Sequence, residues 1–297
     1  MTLPFTHAVP EHWSNLLWAL SSLEIAPDFP LPWLPPARHQ QLYRFFAAPE
    51  VTSRLRSELE LSLHDLKSQR LGIYFEQLWA FAFTHHPDYT LLARNLPIRT
   101  GQKTLGELDF VVRYLPDDTV EHWEVAVKFY LQVDHFWVGP GLRDRLDIKL
   151  ARMRDHQLPV ARSHPAVATL EQQKLHFDRQ WAVMPGRLFS SHDKLPSHTT
   201  GTYWWTDTAS FLDGIAPTAL HWRLLPKQTW LASGEPTHPA ANERQYTGSE
   251  LSQLTTRGPI CVAGFDQHSE VSRGFIVPDG WYERAREVCI PPPAHGG

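Results

Sequence analysis

The sequence has few cysteines, little net charge and no long hydrophobic run, and each shortage excludes a class of protein. Only Cys261 and Cys289 are cysteines among 297 residues, which is too few for a disulfide-stabilised scaffold and favours a reducing compartment. The net charge of −4 means that bulk positive charge does not bind this protein to nucleic acid. No apolar run approaches the length of a membrane span, and the amino terminus lacks a signal-peptide pattern. We expect a soluble, cytoplasmic protein with no membrane span.

Several enzyme signatures are also absent from the sequence. It contains no Walker loop, no GxGxxG, no GxSxG and no HExxH. P-loop nucleotide hydrolysis, Rossmann redox chemistry and α/β-hydrolase chemistry are therefore disfavoured. Hydrophobic residues make up 42% of the chain, which is enough to bury a sizeable core and too much for a disordered chain.

The hydrophobic pattern divides the chain into three regions. Residues 1–69 have helical periodicity and predict an N-terminal helical region. Residues 70–194 alternate between helical and strand patterns, which predicts an α/β core with a mixed sheet. Residues 195–297 contain short strand-like runs and predict a β-rich C-terminal extension.

The core region contains six predicted elements. The first helix is apolar nearly all round and is expected to be buried on most sides. Pro185 is expected to end the last strand or confine it to a sheet edge, because proline has no N–H to donate. The elements are helices at 71–83 and 142–157 and strands at 89–95, 105–114, 120–131 and 180–189.

Four acidic residues and a lysine are placed so that they can meet. Glu107 and Asp109 share one face of the strand at 105–114. Glu124 and Lys128 share one face of the next strand. Glu76 is the only charged residue of the apolar helix. If the two strands pair as a hairpin, these acids gather on one face with the lysine beside them.

Such a cluster favours a hydrolytic metal site. Carboxylates that share a half-buried place repel each other unless a cation joins them. A hard divalent ion such as Mg²⁺ or Mn²⁺ binds one or two carboxylates and keeps several waters. A neighbouring lysine can orient or deprotonate the attacking water or stabilise phosphate charge. The alternative is that the lysine forms a structural ion pair and that the acids of the first strand face solvent.

The ordered set of motifs resembles the PD-(D/E)XK nuclease superfamily over residues 70–190. The resemblance rests on the helix with Glu76, GELDF with Asp109, WEVAVKFYL with Lys128 and the basic helix that follows. The segments EVAVKFYL and GPGLRDRLDIKL are also similar to a bacterial family of unknown function assigned to that superfamily. The resemblance implies a restriction-endonuclease-like αβββαβ core. It also implies that Asp109 is the first metal-binding acid, that Lys128 is the motif lysine and that Glu76 is the acid of the first helix.

One position departs from the superfamily pattern. The third strand usually carries an acid, any residue and a lysine, and here Ala126 stands where the acid is expected before Lys128. Glu124 is the nearest acid, on the same face about 7 Å earlier along the strand. Glu124 could substitute, Glu76 and Glu107 could complete the metal site, or the site could be degenerate.

The helix at 142–157 offers a surface for a phosphate backbone. Its segment 143–154 has five basic residues against two acidic ones, and we assign substrate binding to Arg143, Arg145, Lys149 and Arg152. The alternative is a solvated helix face whose charges pair with one another.

The leading hypothesis is a Mg²⁺-dependent (or Mn²⁺-dependent) nuclease, with DNA favoured over RNA as its nucleic-acid substrate. Asp109, Glu124, Glu76 and Glu107 would hold the metal and Lys128 would act on the attacking water. A second hypothesis is a catalytically degenerate protein of the same fold that binds nucleic acid or assembles with other proteins. In a third, residues 195–297 form a protein-interaction region and the core is a scaffold.

Overall fold

The computed structural model is an α/β protein with two mixed β-sheets, as the sequence predicts. It describes residues 11–194, 203–218, 220–233, 244–267 and 269–290. The chain forms two compact units, here called the first and the second unit. The first unit comprises residues 11–128 and 149–186. The second unit comprises residues 129–148 and the described residues from 187 onward.

The first unit begins with the predicted helical region. Pro36 and Pro49 open the second and third helices, where a missing N–H leaves no helical hydrogen bond unmade. The prediction is confirmed for residues 11–69, whereas residues 1–10 lie outside the described chain. The helices are α1 (His12–Ser21), α2 (Pro36–Ala47) and α3 (Pro49–His64).

The apolar helix predicted at 71–83 is α4, Leu71–His85. Its apolar residues occur on nearly every side, so the helix is covered by the sheet as well as by its helical neighbours. Trp79 packs against Trp123 with ring centroids 5.6 Å apart, and Phe83 packs against Phe110 at 5.3 Å. These aromatic contacts fix the helix to the sheet that carries the candidate site.

The four-stranded sheet has the order β1-β2-β3-β6. The first three strands are antiparallel neighbours, and the last two run parallel. Helix α4, the strands of this sheet and the helices before β6 follow the predicted αβββαβ order, but two strands of the other sheet, Lys128–Val133 and Phe136–Val138, are inserted between β3 and the first of those helices. The strands are β1 (Tyr89–Thr100), β2 (Lys103–Tyr114), β3 (Thr119–Val125) and β6 (Arg179–Val183). The helical elements are α5 (Leu146–Arg152), a π-helical turn (Met153–Gln157), α6 (Leu158–Val160) and α7 (His164–Gln172).

The strands predicted as continuous at 120–131 and 180–189 are each interrupted. The first divides into β3 and β4 (Lys128–Val133), and the second divides into β6 and β7 (Gly186–Ser191). The breaks lie side by side, because the N–H of Ala126 donates to the carbonyl of Val183 at 2.8 Å. Pro185 ends its strand as expected. An added Cβ on Gly186 would lie 1.9 Å from the carbonyl oxygen of Lys128, so this close approach requires glycine.

The second unit is built on a seven-stranded sheet with the order β5-β4-β7-β8-β11-β10-β9. The predicted strand-rich C-terminal region is confirmed for the described residues from 203 to 290, whereas the rest of 195–297 lies outside the described chain. The sheet also takes strands that precede residue 195. Cys261 is buried in β10. The remaining strands are β5 (Phe136–Val138), β8 (Tyr203–Asp207), β9 (His221–Leu224), β10 (Ile260–Phe265) and β11 (Glu270–Val277). The helices are α8 (Thr208–Ser210), α9 (Gly248–Thr255) and α10 (Trp281–Cys289).

Within the described ranges, every helix is too short or too polar to cross a bilayer.

Candidate active site

Two acidic residues face each other on neighbouring strands of the first unit. The paired residues of β2 and β3 end at Phe110 and Trp123, and the same antiparallel register continued by one residue places Asp109 opposite Glu124. Residues in such positions have Cβ atoms about 5 Å apart. The Asp109 carboxylate accepts a hydrogen bond of 3.0 Å from the N–H of Val125. Asp109 is half-buried and Glu124 is fully buried, so the sequence-predicted meeting of these acids is present in the structure.

Both oxygens of the Glu124 carboxylate have a neutral partner. His122 Nε2 lies 3.0 Å from Oε1, and Gln157 Nε2 donates to Oε2 at 2.9 Å. The side-chain oxygen of Gln157 in turn accepts a hydrogen bond of 2.6 Å from Lys149 Nζ. The carboxylate is therefore connected to a lysine through one amide side chain.

The hydrogen bonds of His122 define its tautomer. Gln180 Nε2 lies 3.1 Å from His122 Nδ1, and the side-chain oxygen of Gln180 is taken by Arg162 Nε at 2.6 Å. We therefore assign Nδ1 as the acceptor and Nε2–H as the donor to Glu124. Burial lowers the pKa of His122 to about 4, so the imidazole is neutral at pH 7 and adds no positive charge beside the acids.

The two facing acids are poorly compensated by positive charge. Burial raises the pKa of Asp109, and the charge of Glu124 raises it further against the opposing hydrogen bond from Val125. Burial also raises the pKa of Glu124, although Lys149 and Gln157 act in the opposite direction. The net shift is upward for both groups. This is the behaviour expected of carboxylates whose burial outweighs the positive charge near them.

The other two predicted acids lie at the edge of this pair. Glu76 of α4 is half-buried; burial raises its pKa, Arg94 opposes that shift, and Glu107 adds to it. The Nη1 atom of Arg94, on β1, donates a hydrogen bond of 2.6 Å to Gln77, which neighbours Glu76 in α4. Glu76 also raises the pKa of Asp109, and Glu107 raises that of Glu124. The predicted acids therefore act on one another electrostatically.

Metal binding by Asp109, Glu124, Glu76 and Glu107 stays a prediction. Among the described residues, no group of three or more His, Cys, Asp or Glu side chains is arranged to hold a metal ion. Asp109 and Glu124 are the two acids that the strands bring directly together.

The predicted lysine of the site, Lys128, lies beyond the break in the strand. It is the half-buried first residue of β4, and its N–H donates to the carbonyl of Pro185 at 3.1 Å. The predicted face shared by Glu124 and Lys128 assumed one continuous strand, and the interruption at residues 126–127 removes that basis. The catalytic role of Lys128 stays a prediction.

The basic segment is divided between the two units. Helix α5 begins only at Leu146, so Arg143 precedes it and is exposed in the second unit. Arg145, also in the second unit, pairs with Asp147 at 2.5 Å and donates to two carbonyls at the end of α10. Lys149 belongs to the first unit and contacts Gln157, and Arg152 is exposed there. Phosphate binding by these four residues stays a prediction.

Sequence reasoning missed the neutral partners of Glu124. His122 precedes Glu124 by two residues on one strand, so its place on the same face was visible as an alternating pattern. Gln157 and Gln180 had no such signal, because they come from a helix and from another strand. Arg94 has no such signal in the sequence either, and the structure places its charge beside Glu76 and Asp109.

The geometry defines an α/β protein with a buried acidic site on its four-stranded sheet. The family is given by the sequence: residues 15–277 match the model of the domain of unknown function DUF1853, and the chain belongs to this family. No curated protein and no solved structure matches the chain.

Proposed function

We propose that this protein is a divalent-metal-dependent nuclease with a PD-(D/E)XK-like site, and that DNA is favoured over RNA as its substrate. The observation that carries the proposal is the facing pair of Asp109 and Glu124. Burial raises the pKa of both carboxyl groups, and the charge of Glu124 raises that of Asp109 further. A site with this imbalance attracts a cation, and the element order around it is that of the superfamily which the sequence resembles.

The donor set fits Mg²⁺ or Mn²⁺. These ions prefer oxygen ligands and bind through one or two carboxylates. Each oxygen of an ionised carboxylate can accept more than one partner, so the hydrogen bonds to Glu124 leave capacity for a metal. When bound, the ion would supply Lewis acidity, neutralising phosphate charge and easing the ionisation of water.

The residues have separate roles in this proposal. Asp109 and Glu124 hold the ion, and Glu76 offsets the positive charge of Arg94 beside them. Arg94, and exposed Arg152 on α5, are available to bind phosphate oxygens. In the hydrolysis, a bond forms between water oxygen and phosphorus and the ester P–O bond breaks. A proton leaves the water, and the departing oxygen is protonated.

The test is a cleavage assay on single-stranded, duplex and branched DNA and on RNA, in Mg²⁺, Mn²⁺ or EDTA. We expect cleavage only with metal, and a loss of at least about 100-fold in Asp109→Asn. Asp28→Asn is the matched control, because Asp28 is exposed. Unchanged cleavage by Asp109→Asn, or wild-type cleavage in EDTA, would contradict the proposal.

A second candidate is a nucleic-acid-binding or assembly module whose hydrolytic site is degenerate. Ala126 favours it, because this small apolar side chain packs against Met153, Leu158 and Ala182 where the superfamily pattern has a charged residue. This candidate predicts salt-sensitive binding to nucleic acid that is the same with and without Mg²⁺, and no cleavage.

A further inference from the structure

The register of the sheet identifies which acid of β3 belongs to the site. Asp109 faces Glu124, so Glu124 is the carboxylate that the two strands place beside it. The next residue on the same side, two positions on, would be Ala126, and it packs in an apolar cluster. The position that follows Glu124 on this side therefore contributes no positive charge to the site.

Positive charge is linked to the Glu124 carboxylate from Lys149, in the helical segment that follows. Lys149 Nζ donates to Gln157 Oε1 at 2.6 Å, and Gln157 Nε2 donates to Glu124 Oε2 at 2.9 Å. The two bonds form a chain from an ammonium group to a fully buried carboxylate. Lys149 is itself half-buried, and its charge lowers the pKa of Glu124 against the effect of burial.

The local helix geometry makes this chain possible. Lys149 and Gln157 are eight residues apart, and between them α5 changes into a π-helical turn, Met153–Gln157. A π turn contains an additional residue compared with an α turn, which returns Gln157 to the face that carries Lys149. Such turns occur frequently at functional sites. Met153, the first residue of the turn, is fully buried and anchors the segment in the apolar cluster.

We propose that Lys149, acting through Gln157, is the cationic positioning residue of the hydrolytic site and fixes the Glu124 carboxylate in the orientation that binds the metal. The inference deepens the proposed function and rests on it. It reassigns Lys149, which the sequence had suggested as a phosphate-binding residue. The site then has a cationic lysine whether or not Lys128 takes part in the reaction.

A double-mutant cycle tests whether the lysine acts through the amide. We expect Lys149→Met and Gln157→Leu each to lower kcat about 10- to 100-fold with little change in KM for nucleic acid. The double variant should be no slower than the slower single variant, because both changes break one chain. Lys149→Arg should recover part of the activity. Lys67→Met, at an exposed position, is the control for loss of a lysine.

The outcomes separate this inference from the proposed function. Multiplied losses in the double variant would overturn the chain from lysine to carboxylate. A rise in KM alone would return Lys149 to phosphate binding. Full activity of Lys149→Met together with an inactive Lys128→Met would assign the role to Lys128, and the nuclease proposal would survive. Folded wild-type protein that cleaves none of the substrates would overturn both. Circular dichroism melting identifies any variant that does not fold, in which case Lys149→Gln replaces Lys149→Met.

Discussion

Removing one charge from the carboxylate pair should make the protein more stable. In Asp109→Asn, the amide oxygen can still accept the hydrogen bond from the N–H of Val125, which is 3.0 Å long in the wild type. The substitution removes a buried charge together with its repulsion by Glu124, which raises the pKa of Asp109. A loss of activity accompanied by a gain of stability is what a site selected for binding a cation should give.

The size of the effect follows from the raised pKa values. A carboxyl group with a higher pKa in the folded chain than in the unfolded chain holds its proton more tightly when folded. Its contribution to stability therefore falls as pH rises from the unfolded value, about 4, to the folded one, by at most about 1.4 kcal/mol per pH unit. Between pH 4.5 and 7.5, Asp109→Asn should gain about 2 kcal/mol or more over the wild type. In a domain of this size that is about 4–8 °C in Tm.

The assay is urea denaturation at several pH values, with and without Mn²⁺. The difference in free energy of unfolding between Asp109→Asn and the wild type should widen with pH, whereas exposed Asp28→Asn should follow the wild type. Mn²⁺ should stabilise the wild type at pH 7.5 and have little effect on Asp109→Asn. A difference that does not vary with pH, or a variant that is less stable throughout, would refute the reasoning.

Three further predictions concern the same unit. Arg38 donates two hydrogen bonds of 2.9 and 3.1 Å to the fully buried Glu121. Arg38→Met should therefore lower the free energy of unfolding by about 3–5 kcal/mol, because it leaves a buried charge unpaired. Adding Glu121→Leu should restore much of this loss, and urea denaturation of both variants measures the two effects. Gly186→Ala should cost about 3 kcal/mol or more, measured as a fall in Tm, because its Cβ would overlap the carbonyl oxygen of Lys128. Burial lowers the pKa of His122 to about 4, so unfolding should take up a proton, and the free energy of unfolding should fall, as pH decreases from 6.5 towards 4. His122→Asn should reduce this fall, measured by urea denaturation across the same pH range. An unchanged fall in the variant would contradict a neutral, buried His122.

The helices and the pairing of the central strands were predictable because their signals are local. Helix α4 shows itself as an apolar run with a single charge, and β2 alternates with Leu108 and Phe110 on its buried face. The antiparallel neighbours β2 and β3 are joined by a short turn. Asp109 and Glu124 could therefore be brought together from the sequence, since local pairing alone places them opposite each other.

The break after β3 was not predictable from the same pattern. Apolar residues continue to alternate through Val125, Val127 and Phe129, and all three are buried. The interruption is fixed by a distant partner, since Gly186 lies against the carbonyl of Lys128. Contacts across such sequence separations leave no periodic signal, and the same holds for Gln157, which lies 33 residues from the carboxylate it contacts.

The burial of Cys261 makes the two units chemically distinguishable. Both cysteines of the chain lie in the second unit, and the first contains none. Burial raises the pKa of the Cys261 thiol to about 12, so the thiolate that reacts with alkylating reagents is almost absent from the folded state. Alkylation of Cys261 therefore requires the seven-stranded sheet to open, and its rate measures that opening separately from events around the carboxylate pair.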